Sequence, residues 1–348
     1  MKICFFAHNT KTHKNGAAQS LIDTANELAN RGFDVIIILP NKKLRYPINN
    51  NKIKCITIPS LSLRTRLDDY SILNKVKEVI KIIYNRFAIR SARKILDKEK
   101  IDLIHINGLD SEVGAEVALK LNVPYVWHIR QLLEEDFGMR LHNEKRILNL
   151  LKRANAVIAI SKTVKEKFER KLNRELSLIY NGIPLDEYII KERKPFYSNE
   201  PLKILLAGRI VEQKGQFEAV KAINHLVQFG IKNIHLTIAG NIQDTEYANS
   251  IRDYITRNEL HDYIQILDHV SNLRQLRKTC DIGLICSKKE AFGRVTIESM
   301  ASRMLVIGAN TGGTAEIIEN NVNGLLYQQG DYISLANQIK YAINNKNK

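Results

Sequence analysis

Residues 186–208 read DEYIIKERKPFYSNEPLKILLAG, and the reading of this stretch decides the fold. Its first sixteen residues, 186–201, are charged and proline-marked, the composition of a linker. The remainder opens an apolar run that stops at a glycine, as a buried strand does. Upstream, short β-rich runs alternate with longer helical ones: KICFFA, a helix from about Gly16 to Arg31, DVIIIL, KCITI, a long helical stretch, DLIHI, a helix near 111–121, PYVWHI and AVIAIS. Downstream the alternation restarts with KILLAG, a helix from Gly215 to about Phe229, IHLTIAG, a helix across 245–258, YIQIL, DIGLIC, a helix from Gly293, LVIGA and GLLYQ. Repeated strand and helix implies parallel sheets with helices on both faces. The expectation is an α/β chain of two Rossmann-like, doubly wound parallel-sheet domains, 1–185 and 202–348, facing each other across a cleft. Ligands of such sheets bind outside the carboxyl ends of the strands.

The whole sequence fits this. At 348 residues it exceeds one ordinary core, and 44% hydrophobic with 26% charged residues is a globular composition. MKICFFAHNT reaches His8 too early for the apolar region of a signal peptide, and no window holds 18 uninterrupted apolar residues. Cys4, Cys55, Cys280 and Cys286 form no CxxC or Cys/His metal spacing, so they read as reduced thiols of a cytoplasmic protein. The net charge of +16 is uneven: residues 1–184 carry 33 Lys/Arg against 19 Asp/Glu, and 185–348 carry 20 against 18. Such asymmetry points the first half at an anionic partner. Aromatic content of 7% without an RNP-like or zinc-finger pattern argues against nucleic acid. Between Ser62 and Lys100, Ile72, Val76, Val79, Ile80, Ile83 and Phe87 fall at helical spacing among Lys75, Lys77, Lys81, Arg86, Arg90 and Arg93. This is either a surface helix with a core face and a solvated basic face, or a helix resting on an anionic membrane surface, and the two are compatible.

Three stretches carry chemistry. In AGRIVEQKGQFEAV, Arg209 follows a strand and Lys214 precedes a helix start, so two cations and free N–H groups converge on an anion such as a diphosphate. In HNTKTHKNGAAQSL, Gly16 stands where backbone can approach a phosphate, although a flexible turn explains it equally. In SKKEAFGRVTIESMAS, residues 287–302, Glu290 and Glu298 flank the turn Phe292-Gly293-Arg294. With a helix starting at Gly293 or Arg294, Glu298 lies about 6–8 Å further along the axis. A Glu pair is by default a solvated helix face. Here it reads instead as a ruler for a ligand with polyols on both sides of a diphosphate.

AGRIVEQKG, EAFGRVTIE, NTGGTAEII and NGLLY together resemble the large family of retaining glycosyltransferases with the GT-B fold that includes bacterial polysaccharide and lipid-linked sugar transferases. The resemblance runs from the first strand loop to about residue 330. It implies a first domain for the acceptor and a second for a nucleotide sugar. Glu290 would hold donor-sugar hydroxyls with Phe292 and Gly293 beside it, Glu298 the ribose diol, Arg209 and Lys214 the diphosphate, and Gly16 the phosphate or anomeric region. In VPYVWHIRQLLEEDFG, His128 would stand beside the transferring sugar and Arg130 on the acceptor side. Implied too are a hexosyl transfer that needs no metal or other cofactor, a UDP-sugar donor favoured over a GDP-sugar, a glycan or polyprenyl-diphosphate-linked acceptor, and a peripheral place at the inner face of the cell membrane. The chain departs from the family's pattern at Asn15-Gly16-Ala17, where two glycines are usual, and at Ser302-Arg303-Met304, where G-x-P is usual. The short end INNKNK puts a helix crossing back to the first domain in doubt. Rival readings are a sugar-nucleotide epimerase of the same architecture, a basic non-enzymatic nucleic-acid-binding protein, a two-carboxylate hydrolase, which leaves Arg209 and Lys214 unexplained, and a dehydrogenase, for which GxGxxG is missing.

Overall fold

A computed structural model describes all residues except 9–15, 45, 49, 68, 193–200, 269, 271 and 346–348. It divides into two compact units, Met1–Gly182 and Ile183–Lys348.

The first unit contains β1 (Lys2–Phe6), α1 (Gly16–Asn30), β2 (Asp34–Leu39), β3 (Ile53–Thr57), β4 (Arg64–Arg66), α2 (Ile72–Glu99), β5 (Leu103–Asn107), α3 (Glu112–Leu121), β6 (Tyr125–Ile129), α4 (Leu133–Phe137), β7 (Met139–Leu141), α5 (Glu144–Arg153), β8 (Ala156–Ala159), α6 (Lys162–Leu172) and β9 (Ser177–Leu178). Seven strands form a sheet in the order β3-β2-β1-β5-β6-β8-β9, every neighbouring pair parallel. Ile3, Phe5, Val35 and Ile37 pack under Leu21, Ile22 and Ala25 of α1, which is why these strands read as unbroken apolar runs. The strand order reverses between β1 and β5, the switch point at which doubly wound sheets bind ligands.

The second unit contains α7 (Leu185–Tyr188), β10 (Leu202–Ala207), α8 (Gln216–Gln228), β11 (Ile234–Ala239), α9 (Thr245–Arg257), β12 (Ile264–Leu267), α10 (Leu273–Thr279), β13 (Ile282–Ile285), α11 (Arg294–Ala301), β14 (Leu305–Ala309), α12 (Gly312–Ile317), β15 (Leu325–Tyr327) and α13 (Tyr332–Asn344). Its six parallel strands run β12-β11-β10-β13-β14-β15 and switch between β10 and β13. Ile204, Leu206, Leu236, Ile238 and Ile282 meet Val220 and Ile223 of α8 in the core. The last helix, α13, packs on α8 and β15 within this unit.

Of the stretch read as linker, 186–192 is described and lies on the second unit. Ser302 Oγ donates to the Tyr188 carbonyl at 3.2 Å, and Arg303 Nη1 to the Lys191 carbonyl at 3.0 Å. Residues 193–200 lie outside the described residues.

The stretch from Ser62 differs from its sequence reading. Residues 64–66 form β4, antiparallel to β7, and helix begins only at Ile72. The physical reason is a cap: Ser71 Oγ accepts from Asn74 N, and Asp69 holds the Ser71 hydroxyl at 2.8 Å. Helix α2 then runs 28 residues. It buries Ala88, Ile89, Ala92 and Leu96, while Asn85 exchanges hydrogen bonds with the Leu61 backbone. The apolar residues singled out from the sequence are not on that face: Ile72 is 79% exposed, Val79 56%, Ile80 57% and Phe87 61%. No described helix is long and apolar enough to cross a membrane.

Candidate active site

In the second unit, β10 delivers Arg209 at its carboxyl end, and the 3-10 turn Glu212–Lys214 brings Lys214 back across the end of β13. The crossing is close. A Cβ on Gly215, whose φ is +67°, would fall 2.1 Å from the Cys286 carbonyl oxygen, so only glycine fits. The loop after β13 is gripped from both sides, Lys288 N donating to the Gln213 carbonyl at 2.9 Å and Gly313 N to the Glu290 carbonyl at 2.8 Å.

That grip places Glu290. Lys214 Nζ donates to Glu290 Oε1 at 2.5 Å and Ser287 Oγ to the same oxygen at 2.7 Å. Burial opposes ionisation of this carboxyl. The Lys214 ammonium, the two hydrogen bonds and the Arg209 guanidinium outweigh burial and hold it below the usual carboxylate range. Arg209 donates from Nη1 to Gln243 Oε1 at 2.9 Å, and its carbonyl accepts from Gln216 Nε2 at 2.8 Å. Phe292 is buried, and Gly293, with φ of +93°, turns the chain into α11 at Arg294 as the sequence suggested. Glu298 lies one turn inside that helix, held by Arg277 from α10 and by Arg294 Nε at 3.1 Å.

In the first unit, Gly16 opens α1, and the loop 9–15 before it lies outside the described residues. His128, the last residue but one of β6, stands in register with Asn107 of β5. Its ring lies 5.4 Å from that of His105, which stacks on Phe5 at 4.6 Å. Burial, then the Arg130 guanidinium, push the His128 imidazole well below its ordinary pKa and that of His105 down to about 3, so both are neutral. His128 is 7% exposed, and neither ring nitrogen has a hydrogen-bond partner among the described residues. Arg130 donates from Nε to Asn107 Oδ1 and from Nη1 to Asn181 Oδ1 at 2.6 Å. Asn107 Nδ2 in turn donates to the Ala17 carbonyl at 3.3 Å and lies 3.4 Å from His8 Nδ1.

The structure thus gathers Arg209, Lys214 and Glu290 in one cluster, Phe292, Gly293 and Glu298 on the adjoining turn and helix, and His128 with Arg130 at the first switch point. Sequence reasoning missed Asn107, His8, Ser287, Arg277 and Tyr188. Ser287 stands three residues before Glu290, and a search for hydroxyls near the carboxylate finds it. Arg277, inside the unremarkable helix LRQLRKT, gives no signal. In the loop DHVSN, considered for base recognition, residues 269 and 271 lie outside the described residues. Among the described residues no three His, Cys, Asp or Glu are grouped to hold a metal.

Two successive doubly wound parallel sheets with their polar side chains at the switch points are the architecture of the GT-B glycosyltransferases. The profile described as "Glycosyltransferase Family 4" matches residues 14–187, and "Glycosyl transferases group 1" matches residues 189–348. The chain belongs to glycosyltransferase family 4, a glycosyltransferase of the GT-B type by family and by fold. It is similar to the Staphylococcus aureus capsular polysaccharide biosynthesis glycosyltransferase CapM, at 27% identity over 56% of this chain and 53% of that protein. It is 24% identical, over 100% of this chain and 90% of the relative, to the Campylobacter jejuni GalNAc-alpha-(1->4)-GalNAc-alpha-(1->3)-diNAcBac-PP-undecaprenol alpha-1,4-N-acetyl-D-galactosaminyltransferase. Among solved structures, Anabaena HepE in complex with UDP and glucose superposes with a TM-score of 0.77 at 22% identity, over 99% of this chain and 90% of HepE.

Proposed function

We propose that this chain is a retaining, metal-independent hexosyltransferase that takes a sugar from a nucleotide-sugar donor, a UDP-sugar ahead of a GDP-sugar, and passes it to a glycan or polyprenyl-diphosphate-linked glycan in surface polysaccharide synthesis. The observation that carries this reading is the Lys214–Glu290 pair beside Arg209 at the carboxyl ends of β10 and β13. Cleaving the bond between the anomeric carbon and the phosphate oxygen leaves negative charge on the diphosphate. Arg209 and Lys214 stabilise that charge, and Glu290, which draws Lys214 into place, accepts hydrogen bonds from the sugar hydroxyls. The acceptor hydroxyl attacks from the face the phosphate leaves, giving its proton to the departing phosphate oxygen, so the anomeric configuration is kept. His128, a neutral imidazole with both nitrogens unpartnered among the described residues, meets a sugar hydroxyl and carries no nucleophilic role. The UDP named with HepE and the undecaprenol-linked glycan named with the Campylobacter relative favour this donor and acceptor.

The same reading gives α2 to the membrane. Its first turns point Ile72, Leu73, Val76, Val79, Ile80, Ile83 and Phe87 outward, and the outward face then turns cationic at Arg90 and Lys94. A cavity of about 260 Å³ lined by Ile58, Pro59, Tyr84, Phe87, Ala88 and Ser91 opens beside the stripe. Apolar surface next to cations is what an anionic lipid surface complements, placing the enzyme at the cytoplasmic face where a lipid-linked acceptor would wait.

The test is calorimetric titration of the protein with UDP, GDP and ADP in EDTA, with Arg209→Ala beside it, followed by NMR of the transfer product. UDP binding that Arg209→Ala weakens, and an axial product from an axial donor, are expected. Failure of all three nucleotides to bind, or an inverted anomer, would overturn the reading.

A further inference from the structure

Each oxygen of the Glu298 carboxylate already has a guanidinium partner. Arg294, one turn back on α11, donates to Oε1 at 3.1 Å, and Arg277 donates from Nη2 to Oε2 across the gap from α10. Arg277 is 2% exposed, and a buried guanidinium is costly to hold unless its charge is met. Behind it stands Tyr188 of α7, its ring centroid 5.5 Å from the guanidinium carbon and its hydroxyl 3.5 Å from Arg294 Nη2. Tyr188 is itself tied down by Ser302, whose Oγ also donates to the Glu298 carbonyl at 2.8 Å. One cation would suffice to neutralise one carboxylate. Two, from different helices, fix its plane.

A carboxylate offers about four lone-pair positions. The two guanidiniums use one on each oxygen, which leaves one on each, side by side and immobile. Two adjacent acceptors with a fixed spacing fit two vicinal hydroxyls. We propose that Arg277 is a positioning residue for the donor nucleoside: through Glu298 it sets the acceptors that take the ribose 2′- and 3′-hydroxyls. The proposal rests on the donor reading above, in which the second unit binds a nucleoside diphosphate. Arg294 shares α11 with Glu298 and moves with it, so Arg277 is what references the carboxylate to the rest of the unit.

The experiment compares dissociation constants for UDP and 2′-deoxy-UDP on the wild type, Arg277→Met, Arg277→Lys, Glu298→Gln and the Arg277→Met/Glu298→Gln double variant. A hydroxyl bonded to a carboxylate is worth on the order of 10-fold or more, so the wild type should prefer UDP by that factor. Arg277→Met should shrink the preference to about 2-fold or less while leaving affinity for 2′-deoxy-UDP nearly unchanged, and the double variant should be no worse than Glu298→Gln, because residues acting as one unit are non-additive. If Arg277→Met does not fold, Arg277→Lys decides: an ammonium keeps the charge and loses the planar fork, so a reduced preference supports the proposal and an unchanged one overturns it. Losses of equal size for both ligands would leave Arg277 a structural residue only. A wild type that binds UDP without preference, or an Arg277→Met variant that keeps the full preference, also overturns it; a wild type that binds no nucleoside diphosphate sinks the donor reading instead.

Discussion

At the ends of β10 and β13, Lys214 faces Glu290, Arg277 and Arg294 share Glu298, and Lys288 meets Glu212 at 2.6 Å. At the ends of β1, β5 and β6, the described buried groups include the imidazoles of His8 and His128, the amides of Asn107 and Gln131, the guanidinium of Arg130, which donates to Asn107 and Asn181, and the carboxylate of Asp110, which accepts from Ser62 at 2.7 Å and lies 3.7 Å from Arg64 Nε. Among the described residues, the same topological position is therefore dominated by ion pairs in the second unit, and in the first it sets neutral hydrogen-bonding groups beside the Arg64–Asp110 pair. Ion pairs keep cations oriented, and exchanging a carboxylate partner for a phosphate costs little reorganisation. Neutral imidazoles and amides suit hydroxyls, which bring no charge to balance. Under the proposed function, the ion-paired cations would serve the diphosphate and the neutral groups the hydroxyls of a glycosyl transfer.

The sharpest way to break this contrast is at the cation. Lys214→Ala removes the charge that the proposed function sets against the leaving diphosphate and is expected to cost about 10²–10³ in kcat, with acceptor KM little changed. A loss confined to acceptor KM would put Lys214 on the wrong side of the reaction. A second measurement uses pH. Buried His105 and His128 bind no proton near pH 5 when folded, whereas the unfolded chain protonates them below about 6.5. The unfolded state then holds more protons, so stability is full above about pH 6.5 and falls as pH drops, by about 1.4 kcal/mol per pH unit for each such histidine. For His105 the loss ends near its folded value of about 3. Glu290, held low, contributes stability that persists until the pH nears the unfolded carboxyl value of about 4.3 and below. Between about pH 6.5 and 5 the first unit should lose hydrogen-exchange protection before the second; loss in the reverse order would refute the assignment of neutral imidazoles. The smallest effect belongs to α2. Ile80→Ser with Ile83→Ser should weaken sedimentation with anionic vesicles by about 10-fold while transfer to a water-soluble acceptor stays intact. Equal binding to neutral and anionic vesicles would remove the cationic half of the explanation.

The second unit was the more legible in the sequence. Arg209, Lys214, Glu290 and Glu298 lie within strand-to-loop-to-helix stretches whose local pattern fixes their positions, and α11 begins where Gly293 predicts. What escaped is what another element supplies. Arg277 reaches Glu298 from 21 residues away in a helix with no distinguishing pattern, and Tyr188, from a stretch read as linker, reaches Arg277 and Arg294. In the first unit the strands were evident, yet the polar cluster was half seen, because Asn107 and His8 meet only when β1 and β5, 99 residues apart in chain position at this contact, become neighbours. The face assignment of α2 stayed open for a similar reason. Apolar residues at helical spacing say that a face exists, and only the burial of Ala88, Ala92 and Leu96 on the other side shows which one the protein keeps for itself.

Cys55 is exposed on β3, whereas Cys4, Cys280 and Cys286 are buried. The chain thus offers one thiol to a maleimide dye without mutagenesis, although local desolvation raises its pKa and calls for mildly alkaline labelling. Lys54 beside it pairs with Glu99 at the last turn of α2, at 2.5 Å. A fluorophore on Cys55 would therefore ride next to the end of that helix and would report on the approach to a vesicle that the proposed function expects.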